Sequence, residues 1–177
     1  MIKTVRAQQS SPGLRFVIRT GSGHVLTVDD AAGNSGPRPA ELLLAALAGC
    51  TAFDVAAILA KKRQVVSSYE VRVSGEQRED RHPHVYGWIE IVHELTGPEI
   101  EATAARRAID LSATRYCTVS AMLSAGTAEV HHRYLIHRGD GTDESGEVVV
   151  MGPGEDPDAL GTRHGSVAAA PVEKGAA

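Results

Sequence analysis

Apolar and polar positions follow two different rhythms along the chain. Residues 14–20 and 24–29 are short runs rich in Val, Ile, Phe and Thr, divided by Gly21, Ser22 and Gly23, which predicts a β-hairpin. Residues 68–77 and 85–95 alternate apolar and polar positions. Tyr69, Val71 and Val73 mark one phase of the first, and Val85, Gly87, Ile89 and Ile91 one phase of the second, the period of half-buried strands. Between these pairs, residues 41–63 have helix-forming composition. Pro39 precedes them, and Lys61, Lys62 and Arg63 close them, where cations suit the carbonyl end of a helix. Pro98 and Glu99 open a second predicted helix over 99–124, and residues 127–136 make a last strand. Hairpin, helix, two strands, helix and strand in that order describe an α+β chain, not an alternating parallel α/β one.

From residue 138 onward the chain is mainly Gly, Pro, Asp, Glu and Ala with no aromatic side chain, too little apolar surface to offset the entropy of ordering it. The expected organisation is therefore one domain over 1–137 and a flexible tail over 138–177, removable at little cost in stability. A chain of 177 residues suits a single core.

The formal charge of -4 is mild and spread along the chain, which excludes the basic footprint of a nucleic-acid or membrane-surface binder. No apolar run follows the early cations, so the N-terminus does not read as a secretory signal and a cytoplasmic location is expected. Residues 42–60 approach the length of a membrane span, but Asp54 near their centre argues against one.

Two cysteines, Cys50 and Cys117, form neither a CxxC motif nor a zinc knuckle. On the first helix Ala45, Gly49, Ala52, Ala56 and Ala60 make a stripe of very small side chains, and Leu43, Leu47, Cys50, Phe53 and Ala57 a bulkier one. On the second, Asp110, Ala113, Cys117, Ser120, Ala121 and Ser124 share a side. Both thiols are thus expected in mid-helix facing a packed interior, either as inert buried cysteines or as a reactive pair. His82, His84, His93, His131, His132 and His137 show no metal-ligand spacing and read as surface groups, with His131 and His132 on opposite faces of their strand. No GxSxG nucleophile elbow is present.

Two segments carry a family likeness. Residues 36–50, GPRPAELLLAALAGC, and residues 107–119, RAIDLSATRYCTV, resemble the two cysteine helices of the OsmC/Ohr family (osmotically inducible protein C-like). The run Gly49, Cys50, Thr51, Ala52, Phe53, Asp54 and Val55 is similar to its YhfA-like branch. The resemblance implies an intertwined homodimer, two long central helices per subunit wrapped by antiparallel sheets. It implies a thiol-dependent peroxidase, an antioxidant, stress-response activity that reduces organic hydroperoxides or hydrogen peroxide. Cys50 would become a sulfenic acid, Cys117 would close a disulfide with it, and an external dithiol would reset the pair, with no cofactor and no metal.

In the family an arginine held by a glutamate activates the first cysteine. Arg15, Arg19 and Arg38 are the candidates for it. The family glutamate after the proline is Ala40 here and Glu41 follows, where it also suits the positive end of the helix. Asp54, one turn beyond Cys50, disfavours a thiolate there unless a cation neutralises it. The alternatives are an OsmC-fold ligand-binding or redox-sensing protein without peroxidase turnover, or a structural dimer whose tail recruits a partner.

Overall fold

The computed structural model describes residues 2–10, 12–125, 129–150 and 163–165. The chain divides into two compact units, Met1–Ala45 and Ala46–Ala177. The first is a three-stranded antiparallel meander of β1 (Val5–Gln9), β2 (Phe16–Thr20) and β3 (Val25–Val28). The predicted hairpin is β2 and β3, turned at Gly23, whose φ of +89° suits glycine. β1 is an addition that no pattern announced, since all five of its residues are exposed.

After β3 the buried carboxylate of Asp29 organises the loop toward the first helix. It accepts hydrogen bonds from the Ser35 hydroxyl at 2.5 Å, the Asp30 N–H at 2.9 Å and the Ser35 N–H at 3.1 Å. The Ser35 hydroxyl is the main reason its carboxyl is held below the usual range. Gly36 lies so close to the Thr27 carbonyl that a Cβ there would clash.

Helix α1 (Pro39–Lys61) starts with proline at its first position, and the Glu41 carboxylate accepts the Arg38 N–H at 2.7 Å, the returning half of a capping box. It runs into the second unit, where Leu47, Thr51, Val55 and Leu59, four residues apart, form its buried line. Neither stripe read from the sequence is that line. Leu43 and Phe53 are exposed, as are Ala45, Gly49, Ala56 and Ala60.

The second unit is a five-stranded sheet in the order β4 (Ser68–Gln77), β5 (Tyr86–Gly97), β6 (Glu129–Arg138), β7 (Asp143–Val150) and β8 (Arg163–Gly165). Alternation places Ile89, Ile91, His93 and Leu95 of β5 inward, as their phase requires. The sheet is not wholly antiparallel as expected. β6 pairs with β5 in parallel, because a helical crossover joins them. Residues 127 and 128 of the expected last strand lie outside the described residues.

Two further expectations change. The crossover is not one helix over 99–124 but α2 (Ala102–Leu111), a π turn (Ser112–Tyr116) and α3 (Thr118–Ser124). Second, the boundary at 138 falls inside the fold. Residues 143–150, read as flexible tail, pair with β6 over eight positions, and Val148 joins Val55, Leu59, Leu95, Ile100, Ile109 and Ile136 in the core. Most of the remaining tail, 151–162 and 166–177, lies outside the described residues.

Removing residues 139–177 is therefore expected to destabilise the protein, contrary to the composition argument. Val148→Ala alone is expected to cost about 2 kcal/mol, a fall in melting temperature of ~4–8 °C. An unchanged thermal melt for either variant would return β7 to the tail.

Candidate active site

Cys50 and Asp54 stand four residues apart on α1, so their side chains leave the same face one turn apart, beside the buried line. Both are half-buried. Cys117 arrives from the opposite element in a conformation the sequence did not announce. The π turn ends when its N–H donates to the Ser112 carbonyl at 2.8 Å, and its backbone is then extended (φ -72°, ψ 99°) as the N-cap of α3. Cys117 is thus not a mid-helix residue. Its thiol caps α3 by accepting the Ser120 N–H at 3.3 Å, and it is only 2% exposed.

The two sulfurs and a carboxylate oxygen of Asp54 lie within 4.8 Å of one another. The Ser112 hydroxyl donates to Asp54 Oδ2 at 3.2 Å and lies 3.3 Å from Thr51 Oγ1, tying carboxylate, π turn and helix together. Burial, followed by the hydrogen bond with Cys50, pushes the Cys117 thiol up to about 12 against the opposing Ser120 N–H. Electrostatic interaction with Cys50 and Asp54 adds to the rise. Cys117 is therefore a neutral thiol at physiological pH. Its neighbour Cys50 is the more accessible sulfur.

The structure brings together Cys50, Cys117 and Asp54. The remaining named residues belong to the first unit. Glu41 caps α1 and pairs with Arg38, whose guanidinium is 4.0 Å away. Arg15 and Arg19 are exposed, Arg15 adding its attraction to the Asp29 carboxyl and Arg19 standing opposite Arg6 and Val25.

A buried chain was missed. Tyr69 on β4 hydrogen-bonds His93 on β5 (2.7 Å), which in turn hydrogen-bonds His132 on β6 (3.2 Å). Both imidazoles are fully buried, not surface groups, and burial holds His93 well below its usual value and His132 down to about 3. The signal was present, since His93 shares the phase of Ile91 and Leu95. His131, on the other face, pairs with Glu147 at 3.0 Å.

Comparison with known proteins supplies the relationship. The family described as OsmC-like protein matches residues 32–132. The chain belongs to the OsmC-like family. The OsmC-like chain is 39% identical to Protein YhfA of Escherichia coli strain K12 over 124 residues, 70% of this chain and 91% of that one. A hypothetical protein from Aquifex aeolicus VF5 has a crystal structure with a TM-score of 0.67 and 31% identity, covering 77% of this chain and 96% of its own. The organic hydroperoxide resistance protein OhrB of Bacillus subtilis shares the fold at a TM-score of 0.51 and 17% identity, over 76% and 98% of the two chains. Helix α1 of this OsmC-like chain has the length and apolar composition to cross a membrane. Val55 and Leu59 of its buried line belong to the core of the second unit, and Thr51 and Asp54 hydrogen-bond with Ser112 there.

Proposed function

We propose that this protein is a thiol-dependent peroxidase acting on organic hydroperoxides or hydrogen peroxide. The observation that carries the reading is a pair of free thiols in unequal surroundings, one accessible and one buried, sharing a site with a carboxylate. The organic hydroperoxide resistance for which OhrB, a protein of the same fold, is named agrees with it.

In the first step the Cys50 thiolate attacks one peroxide oxygen, the O–O bond breaks, and the departing alkoxide or hydroxide takes a proton. Cys50 is left as sulfenic acid. Cys117, too weak an acid to compete for peroxide, then attacks the Cys50 sulfur. Its S–H proton passes to Asp54 and on to the departing hydroxide, so that one water leaves and the Cys50–Cys117 disulfide forms. An external dithiol reduces that disulfide by exchange. Peroxide consumption by the protein with a dithiol reductant, measured beside its two Cys→Ser variants, tests the reading. Sustained turnover supports a peroxidase. A single oxidation without turnover supports the redox-sensing alternative, which a carboxylate beside the nucleophile favours.

Asp54→Asn separates the two steps. Removing a negative charge one turn from Cys50 favours its thiolate and is expected to speed the first step a few-fold. The same variant lacks the base for the second step, so disulfide closure is expected to slow by at least ~10-fold. Stopped-flow fluorescence with dimedone trapping reads both phases. Closure as fast as in the parent protein would mean that the departing hydroxide takes the Cys117 proton directly.

The functional unit we propose is a homodimer in the cytoplasm. Phe53 is 83% exposed and Met122 73%, and Ala45, Gly49, Ala56 and Ala60 of the small-residue stripe are also exposed, a surface suited to a second copy. Light scattering at micromolar concentration is expected to give twice the 18.7 kDa chain mass, and a monomeric mass would refute the dimer.

A further inference from the structure

The cluster where the π turn ends has a chemistry that peroxide reduction does not use. Two sulfurs and one carboxylate oxygen lie within 4.8 Å of one another, and they come from two separate elements. Cys50 and Asp54 present two donor atoms from one helix face at i, i+4, the spacing by which helices commonly hold a metal ion. The third donor, Cys117, is fixed by its N–H to the Ser112 carbonyl and by the Ser120 N–H on its sulfur. Ser112 also donates to Asp54 Oδ2, an outer contact of the kind that orients a ligating carboxylate.

We infer that the reduced site binds one Zn2+ ion through Cys50 Sγ, Cys117 Sγ and an Asp54 carboxylate oxygen, with a fourth position open to water. Zn–S bonds of about 2.3 Å and a Zn–O bond of about 2.0–2.2 Å in a tetrahedron place the donors about 3.5–3.8 Å apart, up to about 1 Å nearer than 4.8 Å, a contraction within the reach of side-chain rotation. Two sulfur donors select a thiophilic cation such as Zn2+ or Cd2+ over Mg2+ and Ca2+. The gradient of burial sets the geometry of entry. Cys117 closes the inner side, while Cys50 and Asp54 are half-exposed, so the ion enters past them and the open position lies on their side. Binding replaces two thiol protons with one cation, and it occupies the sulfur that would otherwise meet peroxide. Zinc is here a mask on the thiols, with no part in the peroxide reaction.

The test uses the full-length chain, reduced, metal-free and kept from air, titrated with Cd2+ while the ultraviolet thiolate-to-cadmium charge-transfer band is followed. The band is expected to saturate at one Cd2+ per chain with the intensity of two thiolates, and prior addition of excess Zn2+ is expected to weaken the apparent Cd2+ affinity. Cys50→Ser and Cys117→Ser are each expected to halve its intensity at saturation. Asp54→Asn, which keeps both sulfurs, is expected to keep the band while weakening affinity by at least ~10-fold. Circular dichroism confirms that each variant is folded, and the titration of the parent protein stands even if one is not. Absence of a saturable band in the parent, saturation at one Cd2+ per two chains, or an Asp54→Asn affinity equal to the parent's would overturn the site. No peroxide enters the measurement, so its failure leaves the peroxidase reading untouched, and the reverse holds too.

Discussion

Peroxide consumption by the Cys50→Ser variant is expected to fall to the uncatalysed background, while Cys117→Ser, reduced and then freed of reductant, is expected to consume one equivalent of peroxide and stop. The inequality follows from where the two sulfurs sit. Cys50 is half-buried at the face of α1, whereas Cys117 is buried with its thiol pushed up to about 12. Only a thiolate attacks peroxide at a useful rate, and a thiol of that acidity carries almost none at neutral pH. In Cys117→Ser the sulfenic acid on Cys50 has no neighbouring thiol to condense with, so a dimedone-type probe is expected to label Cys50 and no other residue. The same difference gives a pH signature. Once Cys50 is oxidised, closure is expected to accelerate as pH rises from 7 toward 10, because the fraction of Cys117 thiolate grows throughout that range. Equal labelling of both cysteines in the parent protein, or unchanged peroxide decay in both variants, would defeat the assignment of roles.

The second large effect is on stability in acid. His93 and His132 are fully buried and fold as neutral imidazoles, with His132 held down to about 3 chiefly by burial and then by the charge of His131. An unfolded histidine protonates near 6.5. Below that pH the unfolded chain therefore takes up protons that the folded one refuses, so the contribution of both residues is complete above about pH 6.5 and drains away as pH falls. Each buried histidine steepens the loss by about 1.4 kcal/mol per pH unit, or about 2.8 kcal/mol per unit for the pair, and the loss from His132 continues to about pH 3. A total stability of ~5–15 kcal/mol cannot absorb that for long. Urea unfolding at pH 7, 6, 5.5 and 5 is expected to show this slope, in a window above the titration of ordinary carboxylates. His132→Gln, which keeps a hydrogen-bonding group beside His93 but does not titrate, is expected to halve it. A flat profile between pH 6 and 5, or an unchanged slope in His132→Gln, would mean that the pair is protonated without penalty.

How far the sequence could be read depended on how far each element is determined locally. Strands β4 and β5 alternate because one face is buried, and α1 carries proline at its first position and cations after its last turn, so all three were legible. β7 was not. Its residues DESGEVVV read as polar tail, and they form a strand because β6 offers an edge whose register brings Val148 opposite His132 and into the core. The break at Cys117 was equally silent, since residues 112–118 contain neither glycine nor proline. It is made by a backbone bond from the Cys117 N–H to the Ser112 carbonyl, a π spacing that residue preferences do not encode.

The candidate site divides along the same line. Cys50 and Asp54 share a face by helical spacing alone, which is why a clash between carboxylate and thiolate could be anticipated from sequence. Their partnership with Cys117 depends on the π turn, and the role of Ser112 as donor to Asp54 depends on the packing of α1 against it. Glu41, weighed as an arginine clamp or as a helix-end charge, pairs with Arg38 and caps its N–H at once.

The most direct test of the peroxidase account is mass spectrometry of tryptic peptides after the fully reduced protein meets one equivalent of an organic hydroperoxide. A single cross-linked pair of peptides joined through Cys50 and Cys117, reversed by a dithiol, is expected. Two free thiols after complete mixing, or oxidation of Cys117 with Cys50 still reduced, would contradict it.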